Sequence, residues 1–156
     1  MYSHLLVPLD VSKLAERALP HAGAIARRFG ARVTLLQVVS TIPIAASLDP
    51  MAAGGSDAMV AMEAMESAEK EAESYLHEIT SSPEMEGVPL SVELTRGVPA
   101  PEIVRRAQKD DIDLIVMSTH GRSGLGRLVF GSVADEVLRE AGIPILLIHS
   151  HESHQR

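Results

Sequence analysis

Residues 113–149 read DLIVMSTHGRSGLGRLVFGSVADEVLREAGIPILLIH, and the order of patterns within them sets the fold class. Asp113 to Ser118 is a short, continuous apolar run, as a strand covered on both faces requires. Thr119 to Phe130 holds three glycines and two arginines with no period, and reads as a loop. Ser132 then opens a helix that ends at Gly142, and Pro144 to His149 is a second apolar strand. A strand, a helix and a strand joined this closely predict parallel neighbours in one sheet.

The same alternation extends back to the first residues. His4 to Pro8 reads as a buried strand, and Asp10 and Ser12 after it are helix-capping types. From Lys13 the positions Leu14, Ala18, Ala22, Ile25 and Phe29 recur at helical spacing, with Gly30 as a left-handed stop. Arg32 to Val39 is a second strand. Residues 40–56, with Pro43, Pro50, Gly54 and Gly55, are expected to form a flexible surface loop. From Asp57 to Ile79 a long helix places Met59, Met62, Met65, Ala68, Ala72, Leu76 and Ile79 along one face, as core or partner-facing packing, with glutamates opposite. Leu90 to Thr95 gives a third strand and Pro99 to Gln108 a helix opened by proline. The expectation is an α/β fold: an open five-stranded parallel sheet with helices on both faces, one domain over 1–150, and a polar tail at 151–156.

Composition narrows the function. The 156 residues contain no cysteine, which removes disulfide scaffolds, thiolate metal sites and a cysteine nucleophile. A net charge of −7 repels nucleic acid and anionic lipid, so any phosphate must be held by local geometry. The first ten residues lack a basic region and cleavage site, and no apolar run is long enough for a bilayer, so a cytoplasmic location without membrane contact is expected.

In open parallel sheets ligands sit beyond the carboxyl ends of the strands. There this chain has Asp10, Val38 to Ser40, and Ser118 to Gly121. A glycine-bearing loop before a helix start lets backbone N–H groups approach an anion and adds the positive end of the helix dipole. The segment is not a Walker A loop, since Gly126 to Ser132 lacks the lysine. Nor is it a dinucleotide fingerprint, since Gly121, Gly124 and Gly126 have the reverse spacing after the wrong strand.

What the loop does resemble is the universal stress protein family, whose ATP-binding members carry Gly-x-x-Gly, nine residues, then Gly and Ser or Thr. Gly121, nine residues, Gly131 and Ser132 match, and Ser118 stands where the family has its first glycine. The likeness extends to Pro8-Leu9-Asp10, Leu-Leu-Gln-Val at 35–38 and the Pro-Ile-Leu-Leu-Ile ending. It implies a doubly wound sheet of order 3-2-1-4-5 and a stress-response or signalling module that binds ATP, or ADP or AMP, with Mg²⁺. By the same resemblance Pro8, Leu9, Asp10 and Val38 line the nucleoside side. Met117 to Arg122 (Met117, Ser118, Thr119, His120, Gly121 and Arg122), with Gly131, Ser132 and Val133, would hold ribose and phosphates, the Ser118 side chain standing at the mouth of the pocket.

Each candidate also has a structural reading. Ser132 with Asp135 forms an ordinary capping box, Asp10 caps the next helix, Arg122 and Arg127 are exposed loop charges, and His120 steadies the turn. His149, His151 and His154 read as solvated rather than metal-binding. No catalytic residues are assignable, and without a P-loop lysine rapid ATP turnover is not expected. The alternative function is a nucleotide-independent dimeric interaction protein that binds an unknown protein partner through its methionine-bearing helix or the 40–56 loop. Either way the apolar last strand is expected at a sheet edge, where pairing with a second copy would make a homodimer.

Overall fold

The computed structural model describes residues 1–41, 55–109, 111–120 and 131–150, without the side chains of 55–58, 120 and 150. The tail, most of the expected 40–56 loop, and the residues Gly121 and Arg122 lie outside the described residues. Five strands, β1 (His4–Leu9), β2 (Arg32–Ser40), β3 (Leu90–Gly97), β4 (Leu114–His120) and β5 (Ile145–Ser150), form one sheet of order β3-β2-β1-β4-β5. Every pairing is parallel. The helices are α1 (Ala18–Phe29), α2 (Gly55–Thr80), α3 (Pro99–Lys109) and α4 (Ser132–Glu140).

Alternation along the strands splits the core into two layers. Leu5, Val7, Val33, Leu35, Leu114 and Val116 join α1 (Ala18, Leu19, Ala22) and α2 (Tyr75, Leu76, Ile79) on one face. Leu6, Leu36, Ile115 and Met117 join α3 (Ile103, Val104) and α4 (Ala134, Val137) on the other. All six residues of β1 are buried, which is why HLLVPL reads as a continuous apolar run. The chain winds from β1 to β3 with helices on the first face. It then returns through α3 on the second face to β4, so connections from β1 and β4 diverge at their carboxyl ends.

Two local readings change. The helix expected from Lys13 begins as a separate 3₁₀ turn, Ala15–Arg17, before α1, and Gly30 closes α1 in the left-handed region at φ 67° as expected. In α2 the buried residues are Ala72, Tyr75, Leu76 and Ile79, whereas Met59 and Met62 are 64% and 74% exposed. The methionine stripe thus does not continue the core, because the helix outruns the sheet that would cover it.

The amino end of the sheet is closed by polar pairing. Asp113 Oδ2 accepts the backbone N–H and the hydroxyl of Ser3, both at 2.7 Å, and Oδ1 accepts the His4 N–H at 3.3 Å. Although burial opposes it, this set of donors holds the Asp113 carboxyl below its usual pKa. The His4 ring Nε2 meets Thr34 Oγ1 at 2.7 Å, and Thr34 Oγ1 meets Ser91 Oγ at 2.8 Å, a hydrogen-bonded row across three strands. Burial, then the charges of Arg32 and Arg106, push the His4 pKa down.

Candidate functional site

At the carboxyl end the chain leaves β1 through a tight turn. Asp10 Oδ1 accepts the Ser12 N–H at 3.1 Å and the Ser12 hydroxyl, while Ser12 Oγ accepts the Ala15 N–H at 3.1 Å. Asp10 therefore does help cap the 3₁₀ turn at Ala15–Arg17, through Ser12. It has a second carboxylate oxygen left over, because no partner among the described residues engages Oδ2. Between Asp10 and Ser12, Val11 sits at φ 65°, a conformation a β-branched residue adopts only at a cost of order 1 kcal/mol or more.

The turn borders a cavity of about 290 Å³ between the carboxyl ends of β1, β2 and β4, just below the usual range of small-molecule pockets. Pro8, Leu36, Val38, Met117 and Ile103 make its apolar wall; Asp10, Thr119, Gly131 and Ser132 stand at its polar side. Nine of the residues singled out from the sequence, Pro8, Leu9, Asp10, Val38, Met117, Ser118, Gly131, Ser132 and Val133, line this one cavity. His120 ends β4, its backbone paired with Ser150. Thr119, inside the Ser118 to Gly121 stretch, lines the cavity too; Leu14, Ala15, Leu36, Pro99, Ile103 and Ala134 also line it and were not among the candidates.

Thr119 has a definable task. Its Oγ1 accepts the Gly131 N–H at 3.1 Å, pinning the end of β4 to the start of α4. Thr119 itself is buried. Nothing in the sequence marks this bond beyond the residue's place at a strand end twelve positions before the glycine.

One expectation about this region is corrected. The Ser132–Asp135 capping box does not form, because Gly131, not Ser132, occupies the N-cap and has no side chain with which to cap. Asp135 instead pairs with Arg139 one turn on. The first intrahelical bond runs from the Asp135 N–H to Gly131 O at 2.9 Å, which leaves the N–H groups of Ser132, Val133 and Ala134 without an intrahelical acceptor. Their residues line the cavity, which puts the positive end of the helix dipole beside it. The Ser118 Oγ belongs to a residue that lines the same cavity. It is shielded from solvent and has no hydrogen-bond partner among the described residues.

A larger polar groove of about 600 Å³ lies between β3 and α3, and four of its charged residues pair with one another. Arg106 pairs with Glu93, whose carboxyl it holds below the usual pKa, and Arg105 pairs with Glu102. Among the described residues no group of His, Asp or Glu is placed to hold a metal ion, and no helix is long and apolar enough to cross a membrane.

Comparison with known proteins places this geometry. Universal stress protein MJ0531 of Methanocaldococcus jannaschii is 35% identical over 148 residues, covering 95% of this chain and 82% of that protein. Among solved structures, the hypothetical protein MJ0577, from the same organism, superimposes with a TM-score of 0.78 at 28% identity, covering 98% of this chain and 99% of the other. A universal stress protein from Archaeoglobus fulgidus in complex with dAMP shares the fold, with a TM-score of 0.54 at 24% identity, covering 94% of this chain and 98% of the other. The family model for the universal stress protein family matches residues 1–149, and the chain belongs to that family.

Proposed function

We propose that the chain is a stress-response or signalling module that binds an adenine nucleotide, ATP or its di- or monophosphate, in the crevice at the carboxyl ends of β1, β2 and β4. The nucleoside lies against Pro8, Leu9 and Val38, and the phosphates extend over the start of α4 toward Gly121 and Arg122. The observation that carries this reading is Gly131. Its φ of −58° is open to every residue, and a Cβ there meets only Thr119 Oγ1, at an ordinary 3.8 Å, among the described residues. The packing does not call for glycine; a ligand that approaches the backbone does.

The dAMP bound by the A. fulgidus relative supports an adenine nucleotide in particular. Mg²⁺ would neutralise the phosphates, with water and phosphate oxygens as most of its ligands. The uncommitted Oδ2 of Asp10 is the carboxylate oxygen suited to join them. Because β5 is an edge strand with half-buried Leu146 and Ile148, the module is proposed to act in the cytoplasm as a homodimer paired along β5.

The test is ligand-free protein titrated with AMP, ADP and ATP, with and without Mg²⁺, followed by thermal unfolding. A ligand at about a hundred times its Kd adds about 2.7 kcal/mol, a shift of several degrees for a domain of this size. No shift with any of the three nucleotides at millimolar concentration overturns the reading.

A further inference from the structure

Helix α2 is longer than the sheet it packs on. Its 26 residues span about 39 Å, whereas the eight residues of β3 span about 26 Å. The helix enters from the carboxyl end of β2 and delivers the chain to the amino end of β3, so it runs against the strands. Glu69 pairs with Arg96, the penultimate residue of β3, which fixes where the helix passes the sheet's carboxyl edge. The part of α2 before Glu69, about 20 Å, therefore stands beyond that edge, on the same end of the molecule as the crevice. From Met59 to Glu71 no residue is buried.

The overhang has a distinctive face. Met59, Met62, Glu63 and Glu66 occupy positions i, i+3, i+4 and i+7, which bring them onto one side of the helix. Met59 and Met62 are 64% and 74% exposed, large and unbranched side chains mostly in water. Between Gly55 and Ala68 the sequence has three carboxylates and no cation. Glu63 has no ion-pair partner among the described residues, and Glu66 has only the exposed Lys70 at 2.8 Å, a weak, screened pair.

We propose that this face is a docking surface for a basic amphipathic helix of another protein. Such a partner lays its apolar stripe on Met59 and Met62 and its Lys or Arg side chains beside Glu63 and Glu66. Charge selects this occupant. A second copy would bring the same carboxylates face to face, and an anionic lipid surface would be repelled for the same reason. Methionine adapts its shape to the stripe it meets, so the surface recognises pattern more than sequence.

The experiment uses the full chain and a fluorescein-labelled Lys/Leu peptide with leucines at i, i+3, i+4 and i+7, read by anisotropy. A scrambled peptide of the same composition is the comparator. The expected result is binding about tenfold tighter to the patterned peptide than to the scrambled one, and a loss of about tenfold in both Met59→Gln/Met62→Gln and Glu63→Gln/Glu66→Gln. All four positions are solvent-exposed, and an unchanged circular dichroism spectrum and thermal midpoint verify folding. Equal binding of the two peptides, or undiminished binding by either double variant, overturns the proposal. So does a change in sedimentation on Met59→Gln/Met62→Gln, which would give the surface to a second copy.

Discussion

The two ends of one sheet are built to opposite rules. At the amino end, Asp113 gathers donors from Ser3 and His4, and the row His4, Thr34, Ser91 passes hydrogen bonds from strand to strand. At the carboxyl end polar groups are left over: Asp10 Oδ2, Ser118 Oγ and the first N–H groups of α4, beside a valine in the left-handed region. Groups satisfied within the fold stabilise it; groups left unsatisfied are free to bind something else. The amino end holds the sheet together, and the carboxyl end leaves bonding capacity unused, which is what the proposed nucleotide site requires.

The contrast is broken most directly at its stable end. Asp113→Ala strands the Ser3 and His4 N–H groups and should lower stability by about 2 kcal/mol in urea unfolding, with nucleotide affinity unchanged. A loss of affinity there would show that the two ends are not separate. The reverse pattern is expected of Gly131→Ala: stability within about 0.5 kcal/mol of the parent, and nucleotide affinity down by about tenfold in calorimetric titration, since the new methyl group stands where the phosphates approach. Equal affinity would remove the special role of this glycine.

The third outcome concerns pH. Burial lowers the His4 pKa from 6.5, so below pH 6.5 the unfolded chain takes up the proton first. Stability is full above that pH and declines as pH falls toward the lowered folded pKa, by at most about 1.4 kcal/mol per pH unit. Asp113, a carboxyl already held below its ordinary range, contributes only in stronger acid. Urea midpoints at pH 7.5, 6.5 and 5.5 for the parent and His4→Gln should diverge in slope, with the variant flatter. The smallest effect is expected at Val11→Gly, which relieves the left-handed strain but loosens the unfolded chain; the net gain should be under about 1 kcal/mol by thermal unfolding.

These predictions fall on residues that were unequally legible. The doubly covered strands announced themselves, because HLLVP and RVTLLQVV have no polar face to interrupt them. Of the glycine spacing before α4, Gly131 and the following Ser132 stand at the cavity. At Met59 and Met62 periodicity left core and partner-facing packing both open, since a helical stripe tells which side of a helix is apolar and not whether anything stands opposite it; their exposure removes the core. The capping box failed by one residue: Ser132 and Gly131 are both acceptable N-caps, and only the backbone bond from Asp135 to Gly131 distinguishes them. The hydrogen bond of Thr119 carried no signal, because its partner is a backbone N–H that any sequence supplies.

The strand order has a kinetic consequence. β1, β2 and β3 assemble from neighbouring parts of the chain, as do β4 and β5, but β1 meets β4 through Leu5 and Leu114, across more than a hundred residues. Loop-closure entropy makes that junction the costliest contact to find during folding, and one of the last to be rewarded. The crevice opens at this same junction. A nucleotide seated there would touch both folding halves at once, so binding would slow unfolding more than it speeds folding, acting as a latch on the seam that closes last.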